Sequence, residues 1–239
     1  MQNNPPEQSM WKNIVYAFIA IIVYILRNIH SHRQPTDFNA ESKELLAKYG
    51  QAQVQDLLIV RRPVHGTIDQ ALRTISFGFY DRALASLGMR PLDHISLMVS
   101  LDISGAQARR QYISIEKNHT TRLVETRFSP AAEYYICEWP KERHETLEDL
   151  VETIRTGDEG LFTYDMFDNN CQTFVIKALD SLNVPCAALP TLIQDVDGLY
   201  GQMPAYVAAV SKCFLEVRHA IKNYVDTFST AAVAAPALD

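Results

Sequence analysis

The stretch FDNNCQTFVIKAL, Phe167 to Leu179, joins two asparagines to an amphipathic segment and places a cysteine at the junction. Asparagine is a preferred N-cap residue, so Asn169 or Asn170 can begin a helix here. One apolar stripe with helical spacing then follows, made of Phe174, Val175, Ala178, Leu179 and Leu182. The pattern predicts that Cys171 lies in the first turn of a helix packed on a core.

This position suits a reactive thiol at Cys171. The partial positive charge of a helix N-terminus favours a thiolate, and the N–H groups of the first turn can hold an oxyanion. With a cationic partner, such a position lowers a cysteine pKa from about 8.5. We therefore expect a lowered pKa at Cys171. The alternative interpretation is a small buried apolar residue without a chemical role.

Composition limits the classes of function. The chain has 239 residues, of which 47% are hydrophobic and 21% charged, as in a globular protein. Its net charge of −6 predicts no nucleic-acid partner. The four cysteines lack the close spacing of a zinc site, so we expect reduced thiols and neither a metal nor a cofactor. The three other cysteines are interpreted as packing residues, namely Cys137, Cys186 and Cys213.

An uncharged segment near the beginning of the chain, IVYAFIAIIVYIL, runs from Ile14 to Leu26. It is shorter than the roughly 20 residues of a membrane-spanning helix, but interfacial residues such as Trp11 and Tyr24 accompany it. A membrane anchor, a cleaved signal peptide and a core or partner helix are the three interpretations. More positive charge follows the segment than precedes it, which favours a membrane-associated protein with a cytosolic catalytic body.

Secondary-structure patterns predict an α+β fold in which helices pack on an antiparallel sheet. A short helix closed by Gly50 precedes a strand ended by Pro63, and a longer helix begins at Thr67 and is interrupted at Gly78. Further strands are predicted at residues 93–102, 111–118, 121–128 and 133–140, and further helices at 145–157, at the Cys171 segment and at 205–228.

Four regions follow from these patterns. Residues 1–33 are predicted to be a disordered start with the anchor helix, and residues 34–56 a linker with a short helix. Residues 57–203 form the α+β domain, and residues 204–239 an amphipathic helix with a loose tail.

His94 is the histidine that suits a catalytic base best. It begins the apolar strand DHISLMVSLD, and a histidine that points from a strand toward a cysteine helix packed on the same sheet gives a Cys–His dyad. The alternative interpretation is a hydrogen-bonded core histidine.

The strand DHISLMVSL, followed 77 positions later by NNCQTFV, resembles the permuted papain-like fold. The closest likeness is to the NlpC-like and lecithin:retinol acyltransferase-like group, whose cysteine box reads asparagine-cysteine, a polar pair and then phenylalanine. The likeness covers roughly residues 57 to 183. It implies Cys171 as nucleophile, His94 as general base and a third polar residue on the next strand.

The third residue departs from the acyltransferase-like pattern, which has a second histidine. This sequence offers Glu116 and Asn118, which share one strand face. We take Glu116 as the first choice to orient the imidazole, and Asn118 as the second.

Together these features predict a membrane-associated thiol hydrolase, such as a thiol protease, or an acyltransferase. Its substrate would be a peptide, an isopeptide or a lipid acyl group. A catalytically inactive binding module with the same fold is the alternative, and a structural membrane-associated protein is a third class.

Overall fold

The computed structural model describes residues 36–64, 66–103, 109–165, 168–212 and 214–215. Its strands are β1 (Gln53–Pro63), β2 (Asp93–Ile103), β3 (Arg109–Lys117), β4 (Thr121–Thr126) and β5 (Glu133–Ile136). Its helices are α1 (Ala40–Tyr49), α2 (Gly66–Ile75), α3 (Phe79–Ser86), α4 (Leu147–Gly157), α5 (Cys171–Leu182), α6 (Leu189–Leu192) and α7 (Val196–Gly201). Residues 205–212 and 214–215 are also helical.

The five strands form one antiparallel sheet in the order β4-β3-β2-β1-β5. The predicted α+β class with helices on an antiparallel sheet is therefore confirmed. The long β1–β2 ladder runs from Gln53 opposite Asp102 to Pro63 opposite Asp93. The strand β5 does not continue beyond β4 but pairs with β1 at the other edge.

The sheet carries its main core on one face. Side chains alternate along a strand, so Ile95, Leu97 and Val99 of β2 all point to this face and are fully buried. The helix α5 covers them with Phe174 and Val175, which are equally buried. Each such side chain contributes about 1.5–3 kcal/mol on burial, which fixes α5 against β2.

The opposite face carries a smaller apolar cluster of Leu58, Val60 and Met98. Tyr112 and Tyr134 pack against it. The alternation of β2 thus separates a face that α5 covers from a face that carries only the smaller apolar cluster.

The beginning of the described chain is part of the domain. Phe38, Tyr49 and Val54 all belong to the main core, and β1 already begins at Gln53. The described part, residues 36–56, of the segment 34–56 that was predicted as linker and short helix therefore packs with the sheet.

A second core lies among α2, α3, α7 and the helical residues 205–212 and 214–215. Leu72, Tyr80, Leu199 and Val207 are buried there. The interruption between α2 and α3 is the predicted one, because Gly78 adopts a left-handed conformation with a φ of 77°.

In the part of the chain that the structure describes, no helix is long and apolar enough to cross a bilayer. The segment Ile14–Leu26, predicted as an anchor, lies outside that part, as does the chain after residue 215.

Candidate active site

The side chain of Asn170 begins the helix that carries Cys171. Its Oδ1 accepts the N–H groups of Gln172 at 2.8 Å and Thr173 at 3.1 Å. The Thr173 hydroxyl accepts the Asn170 N–H at 2.8 Å, which completes a capping box. Of the two candidate caps, Asn170 is therefore the N-cap, and Cys171 is the first residue of α5.

Asn169 fixes the segment that leads to Cys171. Its Nδ2 donates to the Gly160 carbonyl at 2.8 Å, and its Oδ1 accepts from Lys117 Nζ at 2.8 Å. Lys117 is fully buried at the end of β3 and also donates to Gly160, at 2.7 Å. Burial lowers the pKa of Lys117 to about 8, although Asp158 opposes this shift.

The end of β3 separates from the beginning of β2 beside this loop. Leu97 opposite Ile115 is the last residue pair of the two strands, although β2 begins at Asp93 and β3 continues to Lys117. The opened sheet end makes room for a cavity.

This cavity has a volume of about 380 Å³ and is lined by all four predicted site residues, His94, Glu116, Asn118 and Cys171. They come from the beginning of β2, the end of β3 with its following turn, and the first turn of α5. The volume lies within the range of about 300–1,000 Å³ usual for small-molecule pockets. The tertiary fold thus brings three distant segments to one opening.

The cavity has a polar end and an apolar end. Basic side chains of Arg62, Lys117 and Arg122 line the polar part. The apolar part is lined by residues of the second core and its surroundings, namely Ile68, Leu72, Leu92, Val196 and Leu215. A ligand that fills the cavity would meet both surfaces.

The side of β2 on which His94 lies differs from the sequence-based expectation. Ile95 points into the core under α5, so alternation places His94 on the other side of the strand, opposite Arg62 of β1. His94 therefore lines the cavity from the opened sheet end, and not from the face on which α5 packs.

Glu116 is held by basic groups. Its carboxylate forms an ion pair with Arg62, a second with Arg122 at 3.4 Å, and a hydrogen bond from Asn118 Nδ2 at 3.4 Å. Burial raises the pKa of Glu116, but the positive charges of His94, Arg62 and Arg122 outweigh it and hold the pKa below its usual value. Both candidate third residues thus lie in one network, and the charge of His94 acts on Glu116.

The pKa of Cys171 shifts in the opposite direction to the prediction. Burial raises it, and the negative charge of Asp93 adds to this effect. The backbone N–H groups of Ile95, Cys171 and Gln172 favour the thiolate but do not compensate. The predicted lowering is wrong because it took account of the helix terminus and not of the desolvation that packing imposes.

The sequence did not identify several residues that line or border the cavity. No local pattern marked Arg62, Lys117 or Arg122 as residues of a site. Gln194 follows α6 and is hydrogen-bonded to two residues of the cavity lining, Asp93 and Gln172. Its neighbour Asp195 caps α7 by accepting the Gly198 N–H at 2.7 Å.

Within the described residues, no group of three or more histidine, cysteine or acidic side chains could hold a metal ion.

Comparison with known proteins gives no match, because no family model, no curated protein and no solved structure is significantly similar to the chain. The likeness to the papain-like fold therefore stays a prediction from the cysteine box and the histidine strand.

Proposed function

We propose that the protein is a thiol hydrolase or acyltransferase of the permuted papain-like type, in which Cys171 and His94 act on an acyl group. One observation carries the proposal. A single cavity is lined by the cysteine at a capped helix start, the histidine at a strand start, the carboxylate at the end of the neighbouring strand and the amide just after it. Cysteine, histidine and an orienting polar group are the parts that nucleophilic catalysis requires.

In the proposed reaction the Cys171 thiol transfers its proton to His94 as the sulfur attacks the acyl carbonyl carbon. The carbonyl electron pair moves to oxygen, and the Cys171 N–H at the head of α5 stabilises the oxyanion. Collapse expels the amine or alcohol, which takes the proton from His94, and leaves a thioester on Cys171. Water or another acceptor then releases the acyl group and restores the thiol.

Because burial raises the pKa of Cys171, the resting site holds a thiol. His94 therefore acts as a general base during the attack, and no preformed thiolate is needed. Glu116, held by Arg62 and Arg122, orients the imidazole and stabilises its positive charge, with Asn118 bound to the same carboxylate.

The apolar end of the cavity supports a substrate with an apolar acyl part, whether a peptide, an isopeptide or a lipid. Membrane association through the segment Ile14–Leu26 belongs to the same proposal, because it would bring the site near apolar substrates.

The test uses p-nitrophenyl acetate and p-nitrophenyl decanoate as acyl donors. Wild-type protein should gain one acyl group, mapped to Cys171 by mass spectrometry, and Cys171→Ala should gain none. His94→Ala should slow acylation about 10²–10⁴-fold, whereas the control Cys186→Ala should acylate at the wild-type rate. No acyl group on Cys171, or equal rates in wild type and His94→Ala, would refute the proposal.

A binding module is the second candidate, because the pKa of Cys171 is raised and the Glu116 charge is already compensated by two arginines. This candidate predicts that decanoate binds wild type, His94→Ala and Cys171→Ala equally and that no thioester forms.

A further inference from the structure

We propose that Gln194 is a positioning residue that holds the His94 strand against the Cys171 helix, an inference that rests on the proposed function. Gln194 lies in the segment between α6 and α7, far in sequence from β2. Its hydrogen bonds end on the chain neighbours of both candidate catalytic residues.

The side chain of Gln194 binds the beginning of β2. Its Oε1 accepts the Asp93 N–H at 2.7 Å. Its Nε2 donates to the carbonyls of Pro91 at 3.2 Å and Arg90 at 3.3 Å. Both ends of the carboxamide are therefore engaged by the segment that leads directly into His94.

The backbone of Gln194 binds the beginning of α5. Its N–H donates to Gln172 Oε1 at 2.8 Å. Gln172 is buried, lines the cavity and directly follows Cys171. One residue thus connects Asp93, next to His94, with Gln172, next to Cys171.

The incomplete pairing at the beginning of β2 gives a reason for this connection. At its beginning β2 pairs with β1, through His94 opposite Arg62, but its pairing with β3 stops at Leu97. The Asp93 N–H is instead bound by Gln194. A shift of about 1 Å between reacting groups can reduce a rate 10²-fold, so this hydrogen bond has a kinetic consequence.

The test replaces Gln194 by methionine, which keeps the side-chain length, removes the bonds to β2 and leaves the backbone bond to Gln172. Gln194→Glu keeps an acceptor for the Asp93 N–H. The control is Gln202→Met, an exposed glutamine at the end of α7. Three quantities are measured: acyl transfer from p-nitrophenyl decanoate, the pH profile of Cys171 alkylation by iodoacetamide, and hydrogen exchange of the Asp93 amide.

In Gln194→Met we expect acyl transfer to fall about 10- to 100-fold. Its alkylation profile should move to lower pH as water reaches the sulfur, and Asp93 exchange should accelerate. Gln194→Glu should retain most of the wild-type acyl transfer, and Gln202→Met all of it. A merely structural role would instead raise the alkylation of Cys137 and Cys186 along with that of Cys171.

The inference is overturned if Gln194→Met transfers acyl groups and is alkylated as the wild type is. It is also overturned if hydrogen exchange of the Asp93 amide is the same in both proteins. If wild-type protein itself forms no thioester, the proposed function fails. The Asp93 exchange and the alkylation profile still decide in that case whether Gln194 positions the two segments.

Discussion

The backbone N–H of Ile95 favours the thiolate form of Cys171, so the residue that follows His94 acts on the candidate nucleophile. This interaction relates the first turn of α5 to the opened end of the sheet. It places the thiol beside a backbone donor, while burial keeps it protonated.

The first prediction concerns the ionisation of Cys171. The rate of its alkylation by iodoacetamide should rise with pH, with a midpoint above the ordinary thiol value of about 8.5. The reason is that burial, reinforced by Asp93, raises the pKa of Cys171. Mass-spectrometric mapping separates it from Cys137, whose pKa is raised by burial and by the neighbouring Cys186. A midpoint below that of a peptide thiol would contradict the prediction.

Replacement of Glu116 tests the network around His94. Glu116→Gln removes a buried carboxylate from Arg62 and Arg122, and the free energy of unfolding should fall by about 2–3 kcal/mol at neutral pH, since both arginines are partly exposed. The folded-state pKa of Glu116 is below its usual value. The stability that its carboxylate contributes to the folded protein is therefore fully present above the unfolded-state pKa of about 4.3. It disappears as the pH falls through the folded-state pKa.

Urea unfolding of wild type and Glu116→Gln over the acid range measures this difference. If the difference in free energy of unfolding between the two proteins stays the same below that range, the Glu116 carboxylate is not the source of the difference.

Lys117 should give a pH dependence of the same sign in the alkaline range, because its pKa is also lowered on folding. Its folded-state pKa is about 8, whereas an unfolded lysine titrates near 10.4. Between these values the unfolded state binds the extra proton, so stability from this residue rises with pH by up to about 1.4 kcal/mol per unit. The stability difference between wild type and Lys117→Met should therefore grow in favour of wild type over this window. If urea unfolding shows that the stabilities of wild type and Lys117→Met change equally with pH over this window, the prediction is disproved.

The helix cap at Asn170 allows a fourth test. Asn170→Ala should lower the free energy of unfolding by about 1 kcal/mol, because the N–H groups of Gln172 and Thr173 lose their acceptor. Asn170→Asp retains an acceptor and should keep most of the stability. Thermal unfolding compares the three proteins, and equal loss in both variants would assign the effect to something other than the cap.

The sequence by itself predicted the local elements well. The apolar stripe after Asn170 and the cap residue together specify α5, because capping and helical periodicity act within a few residues. The glycine at position 78 likewise separates α2 from α3, since its left-handed backbone favours glycine. His94 and Cys171 were also chosen from residue type and position alone.

Tertiary structure decided how these elements meet. The pairing of β5 with β1, the opening between β2 and β3, and the bridge made by Gln194 all depend on hydrogen bonds between distant segments, which no local pattern encodes. The ionisation of Cys171 was decided in the same way. The helix start that favours a thiolate is a local feature, whereas the burial that outweighs it arises only when α5 packs on the sheet.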